Sequence, residues 1–132
     1  MRNTLRQRLM GQNGFTLLEL VIAMAVLLIL TAVAVPSYLG FRERANKSAA
    51  GADLRAAVSS VEAWHSDHGT YAGMTVAALK ASYDQSLDAS IISFGALSTT
   101  TYCVMAKAPS DVTKTAAKAG PDAPIVIGAT CP

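Results

Sequence analysis

Residues 20–35, LVIAMAVLLILTAVAV, form an apolar run in which Thr31 is the one polar side chain. At about 1.5 Å per residue, a helix over residues 15–35 would be roughly 31 Å long, close to the hydrocarbon thickness of a bilayer. From Pro36 to about residue 67 the apolar positions become periodic. Tyr38, Phe41, Ala45, Ala49, Ala52 and Ala56 recur at three- and four-residue steps and make one helical stripe. Leu54, Val58, Val61 and Trp64 or His65 make a second stripe, rotated from the first, and Arg42, Glu43, Arg44, Lys47, Arg55 and Glu62 fall mostly between them. Two stripes predict two burial partners. The bulkier, later stripe is expected to cover this chain's own C-terminal part. The small, Ala-rich stripe suits close approach of another helix. A single helix with one wide apolar face is the alternative.

Pro36 lies inside this helical pattern. It removes the hydrogen bond to the carbonyl of residue 32, and Gly40 weakens the same region, so a kink or an easily opened turn is expected over 36–40. The pattern stops at Asp67-His68-Gly69, where Gly69 fits a C-terminal cap. Beyond it, Gly, Pro, Ser and Thr become frequent. Strands are expected at Ile91–Leu97, Thr101–Ala106 and Ile125–Gly128, with turns at Pro109, Gly120-Pro121 and Pro124. Met74–Tyr83 reads as a short helix or a loop. Three short strands cannot bury both faces, so the sheet should rest one face on the helix, giving an α+β fold.

Composition changes this picture at one end. Of the 132 residues, 52% are hydrophobic and 15% charged, and the apolar excess sits in the N-terminal run. The net charge of +2 is uneven as well. Arg2, Arg6 and Arg8 lie before residue 15 with no acid among them, while the remainder carries eight Lys or Arg against nine Asp or Glu. A basic head before an apolar run is a membrane-targeting pattern. A nucleic-acid binder would need a basic patch on its folded part, which this sequence does not support. The two cysteines, Cys103 and Cys131, make an even count, which favours a disulfide in an exported chain. Closing that loop would contribute about 3–4 kcal/mol on the chain-entropy account. Two buried free thiols are the alternative.

Glu19 stands at the head of the apolar run and requires a reason. Thr16-Leu17-Leu18-Glu19 fits the S/T-x-x-E capping box, in which the glutamate satisfies an orphan amide at a helix start. A cleaved secretory signal would use Ala32-Val33-Ala34, but an acid in its apolar core disfavours that route, and cleavage there would discard a helix that continues through Tyr38 and Phe41. A third reading pairs Glu19 with a positive charge inside the membrane or inside an assembly.

Gly14-Phe15-Thr16-Leu17-Leu18-Glu19-Leu20 resembles the class III signal of type IV pilins and related pseudopilins. The resemblance is specific over roughly residues 11–45 and holds in layout for the rest. It implies cleavage by a prepilin peptidase between Gly14 and Phe15, N-methylation of Phe15, and a glutamate, Glu19, at the fifth mature position. Pro36 then falls where the family commonly carries a helix-breaking proline. Trp64 through Tyr71, WHSDHGTY, resembles the family's exit from the helix, and Cys103 with Cys131 resembles the disulfide bounding its C-terminal loop. The implied organisation is a removed leader (1–14), a transmembrane and filament-core helix (15–38), the amphipathic half of the same helix (39–68) and a globular head on a small antiparallel sheet (69–132). In such filaments Glu19 of an incoming subunit meets the amine of a neighbour. A carboxylate in hydrocarbon costs a few kcal/mol, and a polar mark in an apolar seam sets register.

The implied function is structural. The subunit waits in the cytoplasmic membrane with its C-terminal domain outside, and joins a helical homo-oligomeric surface filament for adhesion or motility. A platform protein and a cytoplasmic ATPase act on it indirectly. A minor pilin or a pseudopilin of a type II secretion or DNA-uptake machine is the alternative, and a signal-anchored extracellular binding domain that never polymerises is a second. The remaining motifs add little. His65 and His68 could share a helix face, but a third metal ligand is not evident, so no metal site and no cofactor are expected. G-x-S-x-G, P-loop and dinucleotide signatures are absent, and the chain reads as a non-enzyme. Asn46-Lys47-Ser48 matches the N-glycosylation tripeptide but lies in the helical pattern. Ser98-Thr99-Thr100-Thr101 reads mainly as strand-edge polarity, and Tyr71, Tyr83 and Tyr102 as domain packing. Arg42, Arg44 and Lys47 are candidates for contact with phospholipid headgroups.

Overall fold

The computed structural model of the chain describes residues 14–132. Apart from Gly14, the leader expected at 1–14 lies outside the described residues. The elements run α1 (Leu17–His68), α2 (Val76–Ser82), β1 (Ile92–Leu97), β2 (Tyr102–Ala108), β3 (Asp111–Ala119) and β4 (Val126–Ile127). The chain divides into two compact units with the boundary between Leu39 and Gly40.

In the first unit α1 is apolar on every side and none of its most hydropathic window is buried. α1 continues through Pro36 as a single element, so the two expected halves belong to one helix with the proline inside it. Proline's fixed φ is itself helical, so its effect is confined to a missing amide donor and crowding of the preceding turn.

In the second unit α1 has a single buried face. Ala50, Leu54, Ala57 and Val61 recur at helical spacing and are fully buried. The later of the two expected stripes therefore packs on the chain's own domain, with Val58 and Trp64 partly covered beside it. The buried face also takes in Asn46, Gly51 and Ser60, which belonged to neither stripe. Ala45, Ala52 and Ala56 are exposed and Ala49 is half-buried. Gly69 closes the helix in the left-handed region, at φ +68, and its N–H donates to the His65 carbonyl at 2.8 Å. Met74–Tyr83 resolves in favour of helix, since Thr75 caps α2 by accepting from the Ala78 amide.

The sheet is a four-stranded antiparallel meander in the order β1-β2-β3-β4. Strand β2 buries Tyr102, Val104, Ala106 and Ala108 at alternate positions, and Cys103 between the first two is buried as well. Strand β3 was not anticipated. Its sequence, DVTKTAAKA, is rich in residues depleted from strands. It forms because pairing of Ala106 with Ala116 and of Val104 with Lys118 extends the ladder, and because small side chains suit the covered face. Fully buried alanines stand on the helix (Ala50, Ala57) and on the sheet (Ala106, Ala108, Ala116), in one core with Leu54, Val61, Leu79 and Val104.

Polar contacts pin the layers together. Tyr71 and Tyr102 each donate a phenolic hydrogen bond to the Glu62 carboxylate, at 2.9 and 2.7 Å. Ser110, in the β2–β3 turn, donates to the Asn46 side-chain oxygen at 2.6 Å. Lys118 is buried and donates to the carbonyls of Pro121 and Ala123, both at 2.6 Å.

Burial, reinforced by the hydrogen bond to Glu62 and its charge, pushes the Tyr71 hydroxyl up to about 12 and raises Tyr102 as well. Because these folded values exceed the ordinary tyrosine value, the contribution to stability is complete below about pH 10. It is lost as pH climbs through 12 and beyond. Melting temperatures of the full chain in detergent should hold level to pH 10 and fall steeply above it. In Glu62→Gln the hydroxyls should ionise at lower pH, read from tyrosinate absorbance near 295 nm, and an unchanged titration would contradict the bridge.

Candidate functional site

The residues singled out in the sequence gather at the entrance of α1. Gly14 and Phe15 lie just before the helix, and Phe15 is 88% exposed. The capping box is formed in both directions. The Thr16 amide and hydroxyl donate to one Glu19 carboxylate oxygen at 2.9 and 2.8 Å, and the Glu19 amide donates back to the Thr16 hydroxyl at 3.2 Å. Glu19 thus has a local partner within its own chain, and its carboxylate also lies in the first turn, where the helix dipole favours an anion.

From Leu17 to Phe41 the helix presents large apolar side chains outward, Leu28 and Val33 both at 70% exposure. The hydroxyls of Thr31 and Ser37 are satisfied by the helix backbone. Thr31 donates to the Leu28 carbonyl and Ser37 to that of Val33. α1 is long and apolar enough to cross a membrane.

Past Gly40, Arg42, Glu43, Arg44 and Lys47 occupy exposed positions. Glu43 pairs with Lys47 at 2.8 Å and more loosely with Lys114 of β3 at 3.8 Å. The Lys47 hydrogen bond, followed by the charges of Lys47 and Lys114, holds the Glu43 carboxyl below the usual carboxylate range. Asn46 is buried and bonded to Ser110, which leaves the glycosylation tripeptide without an accessible acceptor.

At the far end of the domain Cys103 and Cys131 form the expected disulfide, with Cα atoms 5.8 Å apart. It ties β2 to the C-terminal segment across β1. Gly95 permits that crossing, since a Cβ there would stand 2.8 Å from the Cys131 Cβ and 3.1 Å from the Pro132 carbonyl oxygen. Gly95 was not singled out in the sequence, although a glycine inside a strand is a signal of close approach. His65 and His68 do not converge on a common ligand position. They stack separately on Tyr71 and Trp64, with ring centroids 4.2 and 3.9 Å apart, and no group of three or more metal-binding side chains occurs among the described residues.

The sequence model of the prokaryotic N-terminal methylation motif matches residues 9–35, which spans the helix entrance and the apolar run. The type IV wide pilus major component PilA4 of Thermus thermophilus is 33% identical over 94 residues, covering 71% of this chain and 72% of that protein. The chain belongs to the type IV pilin family. Two further pilin-type relatives share shorter stretches. The type IV major pilin protein PilA of Myxococcus xanthus is 36% identical over 59 residues, 45% of this chain and 27% of its own length. The type II secretion system core protein G of Dickeya chrysanthemi is 35% identical over 60 residues, 46% of this chain and 39% of its own length. The long N-terminal helix, the antiparallel sheet and the C-terminal disulfide are those of a pilin-like subunit, and the uncovered apolar helix fits a membrane-anchored precursor.

The disulfide geometry yields a test. Gly95→Val should hinder closure of Cys103–Cys131, because the clash falls on a Cβ and a backbone oxygen that cannot rotate away. The expected signature is a free-thiol fraction on non-reducing mass analysis and a loss of about 2–4 kcal/mol of stability, comparable to removing the bridge. A fully oxidised variant melting with the wild type would refute this.

Proposed function

We propose that this pilin-like protein is the repeating subunit of a type IV pilus-like surface filament, and that α1 is both its membrane anchor and its filament core. The observation that carries the reading is an apolar helix face, uncovered from Leu17 to Phe41, headed by one acid five residues after Gly14. Residues 1–14 are the leader, 15–38 the membrane and core segment, 39–68 the amphipathic half and 69–132 the head. A prepilin peptidase cuts between Gly14 and Phe15, and Phe15 is then N-methylated. The precursor sits in the cytoplasmic membrane as a single pass with its C-terminal domain outside. A platform protein and an ATPase extract it into a helical homo-oligomer at the cell surface. The protein is structural and performs no catalysis.

Cleavage changes what surrounds Glu19. The new amine at Phe15 lies one turn away on the same helix, and an identical amine is brought close by each neighbour. In the packed core, apolar faces tolerate sliding, whereas a carboxylate is stable only where it meets a cation. Glu19 therefore sets how far an incoming subunit advances. The exposed Ala45, Ala52 and Ala56 give neighbouring helices a shallow surface for close approach.

The relationship to a type II secretion core protein supports a second reading, a pseudopilin or a minor pilin with the same processing. The pilus reading is preferred because the 94-residue alignment with the wide-pilus component is longer than the whole stretch ending at His68, and so includes head sequence. Abundance in sheared fibres distinguishes the two.

Mass analysis of the surface form should find a chain starting at Phe15, heavier by one methyl group and lighter by two cysteine hydrogens. Gly14→Val should leave the leader attached, because a bulky residue before the cut does not fit the peptidase. A normal mature mass on that variant would count against the assigned cleavage site. Glu19→Ala should insert and be cleaved normally but give filaments at roughly a tenth of the wild-type yield or less, a loss corresponding to about 1.4 kcal/mol or more per assembly step. Equal yields in the shear fraction would remove the register role.

A further inference from the structure

The start of the folded unit carries a local excess of positive charge built from two distant parts of the chain. Arg42, Arg44 and Lys47 come from α1, and Lys114 comes from β3. The Asn46–Ser110 hydrogen bond and the Glu43–Lys114 pair bring the β2–β3 turn against this stretch of helix. Two carboxylates face the four cations. Glu43 is shared by Lys47 and Lys114, while Asp111 accepts from the Thr113 amide and hydroxyl and also feels Lys114 and Arg42. An excess of two positive charges is left, with Arg42 and Arg44 fully on the surface. The opposite end of α1 and the loops around α2 have the reverse balance, with Glu62, Asp67, Asp84 and Asp88 against Lys80.

Connectivity decides what this corner meets. Arg42 is seven residues beyond Val35, the end of the apolar run. Seven residues reach at most about 25 Å when extended and advance about 10 Å as helix, which places Arg42 and Arg44 at the depth of lipid phosphates or just outside them. A tethered site also meets its ligand at a high effective concentration.

We propose that the corner formed by Arg42, Arg44 and Lys114 docks on the phosphates of anionic phospholipid headgroups while the subunit waits in the membrane. The proposal rests on the membrane-anchored reading above. It assigns the β2–β3 turn a role in orienting the head on the bilayer. Each net cation near an anionic surface biases docking roughly fivefold at low salt, so an excess of two gives about thirtyfold, and screening removes it.

The test uses the full, isotopically labelled chain in lipid nanodiscs bearing a headgroup-attached gadolinium chelate. The readout is paramagnetic broadening of the amides of residues 110–114, which are remote in sequence from the anchor. Discs containing phosphatidylglycerol should broaden them several-fold more than discs of phosphatidylcholine alone, and about 1 M salt should erase the difference. The variant Arg42→Gln/Arg44→Gln/Lys114→Gln should lose the effect while its core amides keep their positions. Lys80→Gln/Lys107→Gln should retain it. Equal broadening in both lipids, with residues 20–35 in contact with lipid, overturns the docking and leaves the anchor intact. Absence of lipid contact at residues 20–35 in either disc overturns the anchor and the docking together.

Discussion

A helix whose first half is apolar on every side cannot rest in water, and this constraint organises the protein. Leu17 through Phe41 present apolar surface that nothing in the described chain covers. Each large side chain left in water forgoes about 1.5–3 kcal/mol relative to burial, so the unmet cost runs to tens of kcal/mol. That cost is removed by lipid or by neighbouring copies of the same helix, and the two solutions are alternatives for one surface. A membrane-anchored precursor and a polymerised subunit are therefore two states of a single physical requirement.

The second half of α1 works under the opposite constraint. It must bury only one face, because its other faces meet water or neighbours. Ala50, Leu54, Ala57 and Val61 supply that face, and the small sheet is built to match it with Ala106, Ala108 and Ala116. A head of this size has little apolar volume to spend, and it is reinforced covalently and by buried polar bridges. The disulfide holds the C-terminal segment over β1, Glu62 joins the helix to Tyr71 and Tyr102, and Asn46 joins it to the β2–β3 turn. Those bridges leave the Ala45, Ala52 and Ala56 stripe free for contact outside the chain.

Charge is distributed to fit the same plan. Glu19 is satisfied by Thr16 in the capping box, a partner that asks nothing of the surroundings. In the proposed processing, removal of the leader adds a cation one turn away, and the same carboxylate then serves first as a cap and afterwards as a register mark. Beyond the apolar run, Arg42, Arg44 and Lys114 carry a positive excess, while the acids concentrate at the far end of α1 and around α2.

Residues 11–45 alone were sufficient to indicate a membrane-length helix, its capping box and the family, because those features depend on local spacing: glycine, threonine and glutamate in register, then an unbroken apolar run. The helix's end at Gly69 was legible for the same reason, and so was the choice of which stripe faces the domain. Cys103 and Cys131 were pairable by count, but only the fold supplied Gly95 as the gap through which the bridge passes. The tertiary structure decided β3, since alanines and lysines carry no strand preference of their own and become a strand when β2 offers a ladder. It also decided the pairing of Glu62 with Tyr102 and of Asn46 with Ser110, contacts between residues far apart in the chain that no local pattern encodes.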